Sequence, residues 1–85
     1  MIRKKIKSKE RLLLFSQNHF QCKKCKVQFD VPENYDGKFT LYQNDIWLEI
    51  DHIKPISKGG LDTFENKQPL CNICNAKKHN HEWLD

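Results

Sequence analysis

The sequence predicts one small α+β domain whose ends are tied together by cysteines, and three observations predict it. Helix-type sequence stands from Ser8 to about Asn18 and again from about Cys71 to Trp83. Between them lie short alternating or β-branched stretches broken by turn signals, which read as strands. Two Cys-x-x-Cys pairs, Cys22/Cys25 and Cys71/Cys74, flank this central region with 45 residues between them.

The elements follow in order. Ser8 is placed to cap a first helix, because a serine side chain accepts from the free N–H groups of a first turn. Leu12, Leu13, Phe15 and His19 form its expected buried side. Cys22 to Cys25 reads as a tight turn with a thiol at each end. Val27, Phe29 and Val31 alternate with polar residues, as a half-buried strand does. Pro32 stops that strand, Asp36-Gly37 turns the chain, and Phe39, Leu41 and their neighbours read as a returning strand. Asn44-Asp45 marks another turn. Ile46 to Ile53 is the strongest strand, ended by Pro55, and Ser57-Lys58-Gly59-Gly60 is loop. Lys67 to Leu70 reads as a short strand leading into the final helix.

The chain has 85 residues, 38% hydrophobic and 31% charged. That suits one globular domain with a thin core, since a chain this short buries only about 60% of the surface its unfolded form exposes. A covalent or metal staple is therefore expected. No apolar run approaches the roughly 18 residues of a membrane-spanning helix. The start lacks the apolar stretch of a secretory signal, so an intracellular, cytoplasmic setting is expected. In that setting thiols stay reduced and paired cysteines hold metal. Residues 1–26 carry nine Lys or Arg against one acid, whereas residues 27–85 carry six Lys against ten acids. A basic, flexible arm over residues 1–7, with Arg3, Lys4, Lys5 and Lys7, precedes a single domain over residues 8–85. Such a charge split suits a polyanion, above all nucleic acid. Carboxylates beside that partner call for a metal ion.

The two Cys-x-x-Cys units offer four thiolates, the complement of a tetrahedral zinc. Cys22, Cys25, Cys71 and Cys74 are thus the expected ligands of a structural Zn²⁺ that ties the first turn to the last helix. A thioredoxin-like redox role would need a βαβ context that this chain lacks.

The most informative stretch runs from Glu49 through Asp51-His52-Ile53-Lys54-Pro55 and Gly59-Gly60 to Asn66 and Cys71-Asn72-Ile73-Cys74-Asn75. Asp51 offers a hard oxygen, suited to Mg²⁺ or Mn²⁺. His52 titrates near neutral pH and can take a proton from water. Asn75 offers an amide oxygen directly after a zinc ligand, and His79 lies one helical turn further on the same face. Taken singly, none of these residues specifies chemistry. Glu49 reads equally as a supporting group or as an exposed acid, and Trp47 and Trp83 read as core.

Together they resemble the HNH endonucleases, the ββα-metal nucleases. The resemblance covers about residues 19–79 and rests on Asp51-His52-Ile53-x-Pro55, Gly59-Gly60, Asn66, Asn75 and the flanking cysteine pairs. It implies a zinc-stapled ββα-metal domain with an N-terminal helix and an inserted β-hairpin, the segment between Cys25 and Glu49 being longer than in compact members. It implies that Asp51 is a ligand of the catalytic metal and His52 the general base. Asn66 would brace the loop and help orient the base. Asn75 would be the metal ligand on the helix, with His79 fitting a further ligand position less securely. Asp and Asn stand where other members have two histidines, which makes the site harder and favours Mg²⁺ or Mn²⁺.

The expected activity is metal-dependent hydrolysis of phosphodiester bonds in nucleic acid, double-stranded DNA first. Lys54, Lys77 and Lys78 are expected to hold the duplex together with the basic arm. A regular strand points neighbours to opposite faces, so Asp51 and His52 can serve one phosphate only if the strand ends or twists near His52. The rival readings are a non-catalytic, zinc-stapled nucleic-acid-binding module and a structural protein whose cysteines only hold the fold.

Overall fold

The computed structural model describes residues 8–79. The basic arm at 1–7 and the expected extension of the last helix past His79, with His81 and Trp83, lie outside the described residues. The elements are α1 (Ser8–Gln17), β1 (Tyr42–Gln43), β2 (Ile46–His52), β3 (Lys67–Cys71) and α2 (Asn72–Lys78), with short 3₁₀ turns at Ile56–Lys58 and Phe64–Asn66. Over the described residues this is a small α+β fold with two helices and a three-stranded antiparallel sheet.

α1 contains no Gly or Pro, and Glu10 in its first turn complements the helix dipole. It ends where His19 and Phe20 both take left-handed backbone, at φ 57° and 55°. There the Phe20 N–H donates to the Phe15 carbonyl, and the Asn18 side chain donates to the Leu14 carbonyl, both at 2.8 Å. Leu14 and Phe15 are the residues α1 buries. The expectation for Leu13 and His19 is corrected: Leu13 is half exposed and His19 exposed. In a run of four apolar residues the sequence leaves the facing stripe open, and docking on the sheet settles it.

The segment after the first cysteine pair also differs from expectation. Residues 27–31 and 39–41 do not pair as a hairpin; a single bridge joins Gln21 to Gln28. Val27, Phe29 and Val31 do alternate in burial, with Phe29 in the core, so the apolar pattern seats an irregular segment instead of a ladder. The hairpin that forms joins β1 to β2, with Tyr42 opposite Trp47 and Gln43 opposite Ile46. Its two-residue turn places Asn44 at φ 58°, a conformation asparagine tolerates.

β2 is the central strand, and its register with β3 organises the molecule: Leu48 faces Cys71, Glu49 Leu70, Ile50 Pro69, Asp51 Gln68 and His52 Lys67. Directly opposed residues share a face of the sheet. One face therefore carries Leu48, Ile50 and His52 with Cys71, Pro69 and Lys67, and α1 sits there, held by an ion pair from Lys67 to Glu10 at 2.9 Å. The other face carries Trp47, Glu49 and Asp51 with Leu70 and Gln68, and α2 sits on it. Pro69 is tolerated because β3 is an edge strand, and its carbonyl accepts from the Lys23 N–H at 2.8 Å. The core joins Phe15, Phe29, Leu41, Leu48 and Leu70 to Cys22, Cys71 and Cys74.

Gly37 lies at φ 88°, and a Cβ there would collide with the Ser8 carbonyl oxygen. The Arg11 guanidinium donates to the Gly37 carbonyl at 2.8 Å, so the long 26–41 segment is fastened to the start of α1 at this point. Gly37→Ala should destabilise the domain by about 2 kcal/mol or more, from left-handed backbone strain with a backbone clash added. A chemical-denaturation midpoint equal to that of the parent protein would contradict this.

Candidate active site

The four cysteine sulfurs lie within 4.8 Å of one another. Cys22 and Cys25 come from the turn after α1, Cys71 ends β3, and Cys74 lies in the first turn of α2. In each pair the second residue's N–H donates to the first residue's sulfur at 3.4 Å, the arrangement of two matching knuckles. Left-handed backbone at Lys26, φ 68°, closes the first turn. Cys25 and Cys71 are 3.8 Å apart, sulfur to sulfur. Sulfurs at about 2.3 Å from a tetrahedral zinc are separated by about 3.8 Å, so the spacing fits.

Burial raises the Cys22 thiol, but backbone N–H groups of Cys25, Cys71 and Lys24 outweigh it and bring its pKa down to about 7. Burial pushes Cys71 and Cys74 up, and the neighbouring cysteines add to the rise at Cys74. Two thiolates about 4 Å apart repel by about 4 kcal/mol at an effective dielectric of 20, and four thiolates make six pairs. That sum exceeds the whole stability of a typical domain, about 5–15 kcal/mol. Four ionised thiols therefore need a cation among them. Soft sulfur donors in tetrahedral spacing select zinc over Mg²⁺-class ions.

The second constellation gathers where β2 ends. β2 stays regular through His52, which pairs with Lys67, and the chain bends at Ile53 and Lys54. Asp51 and His52 therefore project to opposite faces. On the α2 face, steps of two along β2 meet steps of three along α2. The Trp47 N–H donates to the Asn72 side chain at 2.9 Å, and the Asn75 amide donates to Glu49 at 2.5 Å. The Lys78 ammonium lies 3.1 Å from Asp51 Oδ2 and donates to the His52 carbonyl at 2.9 Å. Gln68 also donates to Asp51 Oδ2 at 3.0 Å. Glu49 takes a further bond from the Trp47 indole N–H at 2.6 Å. A shallow surface hollow on this side is lined by Trp47, Glu49, Asn72, Asn75, Ala76 and His79.

One sequence expectation changes here. Lys78 is 1% exposed and serves Asp51 and the His52 backbone, so it does not reach a duplex. The carboxylate that touches Asn75 is that of Glu49, whereas Asp51 is engaged by Lys78 and Gln68. The donors on the α2 face are hard oxygens with the exposed His79 imidazole nearby, a set suited to Mg²⁺ or Mn²⁺. Among the described residues, no three of His, Asp and Glu converge there as the cysteines do.

On the opposite face, His52 Nε2 lies 2.8 Å from Asp62 Oδ1. Asp62 reaches it because the intervening loop is closed. Asn66 Oδ1 accepts from the Lys54 N–H at 2.9 Å. Its Nδ2 donates to the carbonyls of Lys54 at 3.0 Å and Leu61 at 2.7 Å. One asparagine thus ties both ends of the 54–61 loop to the start of β3. Gly60 fits under this closure because a Cβ there would collide with the Lys54 carbonyl. The bond from His52, with help from Lys67, holds the Asp62 carboxyl below its ordinary pKa. Sequence reading did not single out Asp62 as a partner of His52. Its only signal is a carboxylate two residues after Gly60, at the point where a closed loop must return.

With this geometry in place, comparison with known proteins assigns the class. The HNH endonuclease family model matches residues 37–81, more than half of the chain, and the chain belongs to that family. It is 37% identical over 51 residues to the type IV methyl-directed restriction enzyme EcoKMcrA of Escherichia coli (strain K12). The match covers 58% of this chain and 18% of that enzyme, so the chain spans less than a fifth of the relative's length. No solved structure matches. α1 and the first cysteine pair lie outside the segment matched by the family model. Among the described residues, no helix is long and apolar enough to cross a membrane.

The cysteine cluster makes a direct prediction. Cys74→Ser should lose the bound metal and unfold cooperatively at much lower temperature, because structural zinc contributes about 10 kcal/mol or more in small domains. Thermal melts with and without chelator read this; an unchanged melt in chelator would show that the cysteines need no metal.

Proposed function

We propose that this chain is a metal-dependent endonuclease that hydrolyses phosphodiester bonds in double-stranded DNA. The observation that carries the proposal is the His52–Asp62 pair at the open end of β2, beside a loop braced by Asn66, in a member of the HNH endonuclease family. The likeness to a restriction enzyme favours DNA over RNA.

With Nε2 directed at Asp62, Nδ1 of His52 carries the lone pair. It takes a proton from water, the resulting hydroxide attacks phosphorus, and the bond to the 3′ oxygen breaks. Asp62 stabilises the imidazolium that forms and holds the ring in one tautomer, as a carboxylate does in other His–Asp pairs. Asn75 and a carboxylate of β2 would hold the cation, Asp51 first, with Glu49 as the competing choice and His79 as a further donor. For Asp51 to serve, it must give up a bond to Lys78. Bound there, a Mg²⁺ or Mn²⁺ ion supplies charge neutralisation at the phosphate and at the leaving oxygen.

The exposed Lys54 and Lys77, with Arg3, Lys4, Lys5 and Lys7 of the arm, would hold the duplex through its phosphates. Such contacts position the DNA without reading its sequence. The engagement of Asp51 by Lys78 favours one second reading, a zinc-stapled nucleic-acid-binding module without catalysis.

Nicking of supercoiled plasmid with Mn²⁺ or Mg²⁺ separates the two. His52→Ala should lower cleavage by about 10²–10⁴-fold with fold and DNA binding retained. No cleavage by the parent protein at any metal concentration would establish the binding module instead. Calorimetric Mn²⁺ titration should show weakened binding in Asn75→Ala and Asp51→Ala; binding abolished only in Glu49→Gln would move the ligand role to Glu49.

Removal of residues 1–7 should flatten the salt dependence of DNA affinity. The slope of log K against log salt should fall by about 0.9 for each phosphate that the arm neutralises, up to about 3.6 for the four basic residues. An unchanged slope would assign DNA holding to the domain alone.

A further inference from the structure

We propose that Glu10, on the N-terminal helix, is a positioning residue for the base. It would hold Lys67, which with His52 grips the Asp62 carboxylate from two sides. This inference rests on the role of His52 proposed above. It extends the site to α1, which lies outside the segment matched by the family model.

The geometry forms one continuous chain. His52 and Lys67 are opposite partners in the β2–β3 ladder, so their side chains leave the same face side by side. Both address the same atom, Asp62 Oδ1: His52 Nε2 at 2.8 Å and Lys67 Nζ at 3.5 Å. Lys67 Nζ also lies 2.9 Å from Glu10 Oε1.

Exposure decides which member needs support. The Asp62 side chain is 57% exposed on a loop and by itself would sample several rotamers, leaving the His52 ring with an intermittent partner. The Lys67 side chain is 5% exposed and so has little freedom. Its ammonium is a fixed post while Glu10, the nearer and less exposed of its two carboxylates, satisfies it; without Glu10 it is left with the exposed Asp62 alone and would move toward it. Lys67 gains stability as the ammonium from Glu10 first and Asp62 second, against the cost of burial. The charges alternate from Glu10 to Lys67 to Asp62, the His52 ring N–H meets the last of them, and each carboxylate meets a donor. The link to α1 is therefore more than packing: it fixes where the partner of His52 sits.

A merely structural ion pair at this position would alter stability and leave the ring environment alone, so the test reads both. Glu10→Gln keeps the shape of a partly exposed side chain and should fold. It should lower kcat for plasmid nicking about tenfold with KM unchanged, the low end of what outer partners of a metal-bound histidine contribute. It should also shift the His52 ring C–H and ¹⁵N NMR signals at fixed pH. Lys67→Met should shift the same signals further. Glu10→Asp, which keeps the carboxylate, should recover part of the kcat.

Unmoved His52 signals in Glu10→Gln would overturn the proposal, as would a kcat equal to the parent's when the parent cleaves. The NMR readout does not depend on cleavage. If the parent cuts nothing, moved signals in Glu10→Gln would therefore uphold the linkage and remove the catalytic role of His52; if the parent cleaves, unmoved signals in Glu10→Gln would remove the linkage alone.

Discussion

Four sulfur atoms drawn within 4.8 Å of one another set the terms for the rest of the molecule. They come from three places in the fold: the turn after α1, the end of β3 and the first turn of α2. Because Cys71 closes β3 and caps α2, the direction in which α2 leaves the sheet is decided at the cluster. The contacts of Asn72, Asn75 and Lys78 with Trp47, Glu49 and Asp51 follow from that direction. α2 is only seven residues long and has no independent stability at that length. Its helical register is a consequence of the cysteines and of the strand beneath it.

β2 then divides the chemistry between two faces. The alternation of a regular strand sends Asp51 toward α2 and His52 toward α1, and the ladder stays regular through both residues. The face toward α2 collects hard oxygen donors with one buried lysine, while the face toward α1 collects the imidazole and its carboxylate. A phosphate served by both must lie across the end of the strand, where the chain bends at Ile53 and Lys54 and the ladder stops. The 54–61 loop, closed by Asn66, stands at that end. Asn66 therefore supports the His52–Asp62 pair although its side-chain hydrogen bonds go to Lys54 and Leu61 and not to the ring: it closes the loop that brings Asp62 back beside β2.

Lys78 shows how an expected surface charge becomes interior. Its ammonium lies against Asp51 and the His52 carbonyl, and removing one member of a buried pair costs about 3–5 kcal/mol. Such a pair locks α2 onto the end of β2 at Asp51 and His52. The basic character seen in the sequence thus divides into charges left exposed to solvent, such as Lys54 and Lys77, and charges turned inward to Asp51, Asp62 and Glu10.

By itself the sequence determined the class of fold, the four thiols, the order of helix, strands and helix, and the family signature around Asp51, His52, Asn66 and Asn75. Those features are local: ligand spacing, turn residues and alternation act over a few residues and can be read from them. Tertiary structure alone decided which leucine of α1 faces inward, because a continuous apolar run has no unique stripe. It turned the 27–41 segment into irregular packing, because alternating burial needs no ladder when a core residue such as Phe29 is seated by other contacts. It also decided that Lys78 is buried, that Asn75 meets Glu49, and that His52 meets Asp62. Each of those pairings joins residues 10 to 27 positions apart. They depend on strand register and loop closure, which set distances in space that no spacing along the chain encodes.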